Sequence, residues 1–253
     1  MKMTDETLEF LTRLKDKVKL VLQRHKEQVT DFVDPYLKRV AEEYLKNQVG
    51  INYASFGGVE RAERQRILIC PEYLHPSVEL AGISIIRLIG NLNYVSVSHR
   101  DYLGALLGQG IKREKVGDIY PVSDGCVVIL SRELADFLMV NPLKVKGVTL
   151  KATELQVGEW IPEKPEGKVV AVTLSSLRLD TVVAHGFGLS RTKVVGYIKG
   201  GKVKVNWQII EDLDYKCAEN DVISFRGKGR ILISEICGET KKGRIKVNLV
   251  RYK

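Results

Sequence analysis

No run of 18 apolar residues occurs in this sequence, so no membrane-spanning helix is expected. The opening MKMTDETLEF is charged and amphipathic and has no apolar signal core, so the chain is expected to stay where it is made. Cysteine is scarce. Cys70, Cys126, Cys217 and Cys237 form no CxxC, and none has a histidine at metal-ligand spacing. Reduced thiols and no metal are expected; Cys70 in RILIC and Cys126 in CVVIL sit in apolar runs, where cysteine acts as a small hydrophobe. GxSxG, HExxH and a glycine-rich dinucleotide loop are also missing, so no catalytic residue and no cofactor is assigned. His25, His75, His99 and His185 are scattered and read as ordinary surface or core histidines.

Three near-matches to catalytic motifs fail on their chemistry. Gly196 to Val203 almost spells a phosphate-binding loop, GxxxxGK followed by Ser or Thr. Val203 cannot give magnesium a hydroxyl, and the stretch closes a helix and opens a strand, the reverse of what that loop needs. His99-Arg100-Asp101 matches a kinase catalytic triplet, but Leu106 stands where the asparagine is required, and Asp101 is expected to start a helix instead. Arg178-Leu179-Asp180 resembles the aspartate triplet of pseudouridine synthases, without room for the large domain that surrounds it there. Asp180 is expected in the first turn of a helix, facing its positive end.

What the sequence does have is positive charge, and at one end. The net charge is +9 over 253 residues. Residues 173–253 hold 16 Lys and Arg against 8 Asp and Glu; the other 172 residues hold 24 against 23. Such asymmetry fits a polyanion-binding C-terminal domain, nucleic acid first, although a solvated basic face would give the same count.

The length suits two or three modest domains. Residues 4–28 read as an amphipathic helix through Leu8, Leu11, Leu14, Val18, Val21 and Leu22. A second helix should run from Pro35 to about Asn47, with Asp34 as its N-cap. In SFGGVERAERQRILIC, Gly57 and Gly58 mark a turn, VERAERQR reads as a short basic helix and ILIC as a buried strand. Arg61, Arg64 and Arg66 make this a secondary basic patch, diluted by Glu60 and Glu63. From Gly82 the order is strand, helix, hairpin turning at Ser123-Asp124-Gly125, helix from Ser131, then strand, a ferredoxin-like pattern. The expected class is therefore α+β: a mostly helical N-terminal domain (1–78), a ferredoxin-like middle domain (79–159), a linker (160–172) containing WIPEKPEGK, and a C-terminal domain (173–253).

In the C-terminal domain the stretch SRTKVVGYIKGGKVKVNW carries five lysines and arginines and no acidic residue. Leu179, Val182 and Val183 should line one short helix. Ser190 should cap a second, with Val194, Val195 and Ile198 inward, ended by Gly200 and Gly201. KVKVN should follow as a strand, valines on one face and Lys202, Lys204 and Asn206 on the other. Arg191 and Lys193 then stand at a helix start, where free amides attract anions, and the strand lysines can lie along the same side.

These residues resemble the S4 RNA-binding domain over about 177–225: the opening RLD, the SR at the helix start, the I-K-x-G and the V-x-V-N fall in order. Upstream, TDFVDPY, GGVERAERQRILICPEY and HRDYLGALLGQGIKREKVGDI are similar to the YlmH family of bacterial and plastid S4-domain proteins. The resemblance implies an N-terminal domain, an RRM-like middle domain and S4, in a monomeric, non-enzymatic protein of the cytoplasm or plastid stroma. Its implied partners are rRNA, tRNA and the large ribosomal subunit, in the rescue of stalled ribosomes. An RNA-modifying enzyme anchored by S4, or a scaffold in cell division or photosystem assembly, are the rival readings. By likeness to S4 the RNA-facing residues are Arg178, Ser190, Arg191, Lys193, Lys199, Lys202, Lys204 and Asn206, with Lys228 and Arg230 beyond them. Trp207, where other S4 domains commonly have glycine, could stack on a base or pack on the strand pair. The middle domain lacks the aromatic signature of sequence-reading RRMs, which leaves RNA contact, protein contact or spacing open for its sheet.

Overall fold

A computed structural model describes residues 4–163 and 166–252. Lys164 and Pro165 of the expected linker lie outside the described residues, as do Met1 to Met3 of the opening segment. The chain divides into two compact units, Met1–Pro162 and Glu163–Lys253. Among the described residues no helix is long and apolar enough to cross a membrane.

The first unit begins with helix α1 (Asp5–Arg24), capped by the Thr4 hydroxyl, which accepts from the Thr7 amide. Phe10, Leu14, Val18 and Val21 face the core, whereas Leu8 and Leu22 of the expected stripe are exposed. Strand β1 (Gln28–Val29) leads to α2 (Pro35–Leu45), whose Asp34 cap accepts from the Leu37 amide at 2.9 Å. Strands β2 (Ile51–Phe56) and β3 (Arg66–Pro71) complete an antiparallel sheet in the order β1-β3-β2, so this region is less helical than its sequence suggests. The central β3 is buried at every position.

The middle region follows the expected order with one addition. Strand β4 (Ile83–Ile89), helix α3 (His99–Gly108), strands β5 (Val116–Val122) and β6 (Gly125–Ser131), and helix α4 (Ala135–Val140) are followed by a hairpin of β7 (Leu143–Val145) and β8 (Val148–Leu155). The sheet order is β5-β6-β4-β8-β7 with antiparallel neighbours. Asp101 caps α3, accepting from the amide and hydroxyl of Ser98 at 2.8 and 2.7 Å. One sheet face packs Ile86, Leu88 and Val128 against Tyr102 and Leu106 of α3. Part of the opposite face, the one an RRM would offer to RNA, is covered from within the unit, around Ile83 and Ile129. Phe32 packs on Ile83 and Ile129. Gly58 comes so close that a Cβ there would lie 3.0 Å from Ile83 and 3.2 Å from Ile129. With φ at +79°, this position favours glycine twice over.

That close approach overturns the expected VERAERQR helix: residues 59–65 are turns, bends and a single β-bridge. The amides of Glu63 and Arg64 donate to Asp118 of β5 instead of to a helical ladder. Arg64 and Arg66 are likewise drawn inward, as described below.

The second unit is one six-stranded antiparallel sheet with two helices. Its elements are β9 (Gly167–Leu174), α5 (Leu179–Phe187), α6 (Arg191–Lys199), β10 (Val203–Val205), β11 (Gln208–Ile209), β12 (Val222–Phe225), β13 (Gly229–Glu239) and β14 (Ile245–Tyr252). The order is β11-β10-β12-β13-β14-β9. The second half of the expected linker is thus a strand: β9 pairs with β14 from Gly167↔Tyr252 to Leu174↔Ile245. Val182, Val183, Val194 and Ile198 from the helices pack on Val203, Val205, Ile223 and Ile231 from the sheet.

Candidate nucleic-acid interface

The C-terminal surface is organised around a buried carboxylate. Arg178 stands just before α5, where its neighbours are fixed: the Leu179 amide donates to the Tyr215 carbonyl and the Cys217 amide to that of Leu177, both at 2.8 Å. Asp180, in the first turn of α5, is 3% exposed. Its oxygens accept from Arg191 Nη2 at 2.5 Å, Thr181 Oγ1 at 3.1 Å and Arg178 Nε at 3.3 Å. Arg178 also pairs with Asp214. Burial would push the Asp180 carboxyl up; the hydrogen bonds from Arg191, Arg178 and Thr181 outweigh it and hold the group below the ordinary carboxylate range. The expected place of Asp180 in a first helical turn is correct. Its larger role, fixing two arginines eleven and two residues away, is not visible in the spacing.

Arg191 keeps 54% of its side chain exposed despite this anchor. Lys193, two residues on, is exposed, as are Ser190 and Lys199. Ser190 occupies the N-cap position, but its hydroxyl makes no capping bond. Of the three apolar positions expected inward on α6, Val194 and Ile198 are buried and Val195 is half-buried. Lys202 precedes β10 and sits with its ammonium 5.3 Å from the centre of the Tyr197 ring.

The sheet separates Lys204 from this group. Val203 and Val205 must face the helices, so the two-residue period of β10 turns Lys204 to the face the helices leave uncovered. There Lys204 pairs across with Ser224, and Ser224 with Arg230, giving one row across three strands. The expected alignment of helix and strand charges on a single side is therefore corrected to two cationic surfaces: Arg178, Arg191 and Lys193 at the helix entrance, Lys204 and Arg230 on the open sheet face.

Asn206 is also corrected. Asn206 and Trp207 form the two-residue turn between β10 and β11, with φ of +48° and +68°. The Asn206 amide nitrogen donates to Asp221 at 2.7 Å, and its oxygen accepts from the Val222 amide at 2.9 Å. This side chain is spent inside the domain, locking the turn to β12. Trp207 lies under the Arg230 guanidinium, 5.5 Å from the ring centre, which favours packing over base stacking for that face of the ring. Lys228 is exposed in the turn between β12 and β13.

Comparison with known proteins follows this geometry. Family models match along the chain: YlmH, N-terminal at residues 6–74, the YlmH RBD at 76–159 and the S4 domain at 177–223. The chain is 33% identical over 244 residues to "Ribosome-associated protein quality control protein P2" of Bacillus subtilis (strain 168), covering 96% of this chain and 95% of that one. The chain belongs to the YlmH family. A solved structure, "Cell division protein ylmH from Streptococcus pneumoniae", shares the fold at a TM-score of 0.54 and 21% identity, over 64% of this chain and 98% of that one. In this YlmH-family chain the S4 match takes in α5, α6, β10 and β11. Lys228 and Arg230 lie beyond it, with β13 and β14.

The first unit does not present the expected secondary basic patch. Arg61 alone of the three projects, beside Glu60 at 3.4 Å. Arg64 donates to the carbonyls of Phe32 at 2.6 Å and Val116 at 3.1 Å. Arg66, 8% exposed, donates to those of Gly82 at 2.6 Å and Thr30 at 2.8 Å. Both stitch the N-terminal strands to the middle sheet through carbonyls on the two sides of that seam. A patch of arginines in sequence is here an internal hydrogen-bonding device.

Proposed function

We propose that this protein is a non-enzymatic, monomeric RNA-binding factor that docks on structured rRNA or tRNA of the large ribosomal subunit during rescue or quality control of stalled ribosomes. The observation that carries the reading is the buried Asp180 holding Arg178 and Arg191 together at the entrance of an S4 domain. Arginine forks suit phosphate oxygens, and a fork already fixed by a carboxylate loses less freedom on binding. Lys193 and the start of α6 extend this cationic edge, and Lys204 and Arg230 offer a second surface. Such a surface reads the shape and phosphates of folded RNA rather than its sequence. The ribosomal setting rests on the Bacillus subtilis relative, which is named for ribosome-associated quality control and aligns along nearly the whole chain. No step in this role requires a catalytic group or cofactor.

The test uses the full chain and structured rRNA fragments. Each phosphate contact contributes about 0.7 to 0.9 to the slope of log affinity against log salt. Lys193→Ala and Lys204→Ala should each lower that slope by about one such step. Sedimentation with large subunits should persist after nuclease treatment that spares the rRNA core and fall at high salt. Salt-independent binding, with neither variant changing the slope, would remove the basis of the proposal.

A further inference from the structure

The first unit contains a cavity of about 310 Å³ that the RNA-docking role does not use. It lies between α1, the segment 30–34, the start of α2, and the loops carrying Arg64 and Arg113. Two guanidinium groups converge on its wall. Arg64 Nε and Arg113 Nη1 both donate to the carbonyl of Val116, at 3.1 and 2.6 Å. Arg113 Nη1 also reaches Gly117 at 3.3 Å, and Arg64 Nη2 reaches Phe32. These bonds take three of the donor nitrogens and leave the remaining N–H groups of both forks for another acceptor. Lys17, half-buried, lines the same space.

Among the described residues none of these three cations forms an ion pair within 4.0 Å. Arg13 and the carboxylates of Glu6, Asp31, Asp34 and Glu114 also line the cavity, and the nearer carboxylates have partners of their own. Asp31 pairs with Lys115 at 2.9 Å, and Asp34 caps α2. Asp118 accepts the amides of Glu63 and Arg64 and the hydroxyl of Tyr120. Glu6 and Glu114 are exposed. Burial lowers the pKa of Lys17 and Arg64, and burial with the neighbouring Arg64 pushes Arg113 down to about 10. Asp31, Asp34, Asp118 and Glu114 offset part of this burial cost, so what marks the site is the set of guanidinium N–H groups left without an acceptor, which an anion would satisfy. Phe10, Phe32 and Leu37 supply an apolar wall beside them.

We propose that this cavity binds a small phosphate-bearing ligand, its phosphate held by Arg64, Arg113 and Lys17 and any organic part lying against Phe10, Phe32 and Leu37. The volume is at the low end of ligand pockets, which admits a mononucleotide or a smaller phosphate ester and excludes a nucleic-acid strand. Two arginine forks and a lysine match a tetrahedral dianion better than a planar carboxylate.

Calorimetric titration of the full chain with AMP, inorganic phosphate and adenosine tests this without RNA. AMP should bind saturably and adenosine should not. Lys17→Gln and Arg113→Gln should each weaken AMP about tenfold or more, the loss of one charge-assisted contact. AMP binding tighter than phosphate would give the apolar wall a share; equal affinities would make phosphate alone the ligand, and both uphold the site. Absence of saturable heat with AMP and phosphate through the millimolar range, or affinity unchanged in both variants, would overturn it. Should Arg113→Gln unfold the unit, Lys17→Gln decides, because Lys17 makes no hydrogen bond or ion pair among the described residues. The salt slope of RNA binding should be the same in these variants, so failure of this site and failure of RNA docking are separable.

Discussion

Asp180→Asn separates charge from geometry in the S4 domain. The substitution makes the domain one unit more positive. If total charge alone governed RNA affinity, the variant would bind more tightly. The structure predicts the opposite, because Asp180 orients Arg178 and Arg191. Freeing them makes RNA binding bear the cost of ordering two long side chains, about 0.5 to 1.5 kcal/mol each. Affinity should fall by about thirtyfold, the middle of the summed range. Stability falls as well. A hydrogen bond to a charged group contributes about 1.5 to 3 kcal/mol, and the half-exposed arginine partner places the loss near the lower end. With a urea m-value of about 2 kcal/mol/M, the unfolding midpoint of the second unit should drop by about 1 M. Trp160 and Trp207 are the chain's two tryptophans, so a Trp160→Phe background lets Trp207 report on this unit alone. The Asp180 carboxyl is held below its ordinary value, so its contribution is complete above the unfolded value of about 3.9 and is lost as pH falls through the folded one. The stability gap between parent and variant should be constant near neutrality and close below about pH 4. A folded Asp180→Asn protein that binds RNA as tightly as the parent would refute the reasoning.

Asn206→Ala removes two hydrogen bonds and a residue tolerant of positive φ, so unit two should lose about 2 kcal/mol in the same urea assay while the salt slope of RNA binding stays unchanged. An unchanged midpoint would show the turn to be held otherwise. Arg66→Met removes the side-chain donor that ties the Thr30 carbonyl to that of Gly82, which keeps only the Arg132 amide, and hydrogen exchange should rise in β3 and at the start of β4 ahead of the rest of the unit. Uniform exchange across the unit would count against a seam. Carbon-13 NMR should find Asp101 titrating at about 2, held down first by the Ser98 hydroxyl and amide. Ser98→Ala should move it up, and no movement would remove the hydroxyl as cause.

Much of the fold was legible in the sequence because it is local. Asp34 followed by Pro35 fixes a helix start through one side chain and one ring, and α2 begins there. The alternation in KVKVN dictates which face of β10 is buried, and the valines are buried. Glycines at 200 and 201 end α6 as expected. Elements whose reason is distant were misread. Residues 59–65 look helical by composition, yet their amides are claimed by Asp118, more than fifty residues later. Most of Gly167–Leu174, up to residue 172, follows two prolines and reads as linker, but β14, about eighty residues on, supplies its hydrogen bonds.

The same division holds for function. The sequence by itself determined that positive charge gathers in the C-terminal third and that an S4 pattern lies there, since both depend only on residue types and spacing. The tertiary structure alone decided which cations reach solvent. Arg64 and Arg66 were drawn into a seam by backbone carbonyls on its two sides, Asn206 was taken by a turn, and Lys204 was sent to the opposite sheet face by the valines beside it. A side chain's partner is set by whatever the fold brings within about 3 Å of it, and no one-dimensional pattern carries that distance.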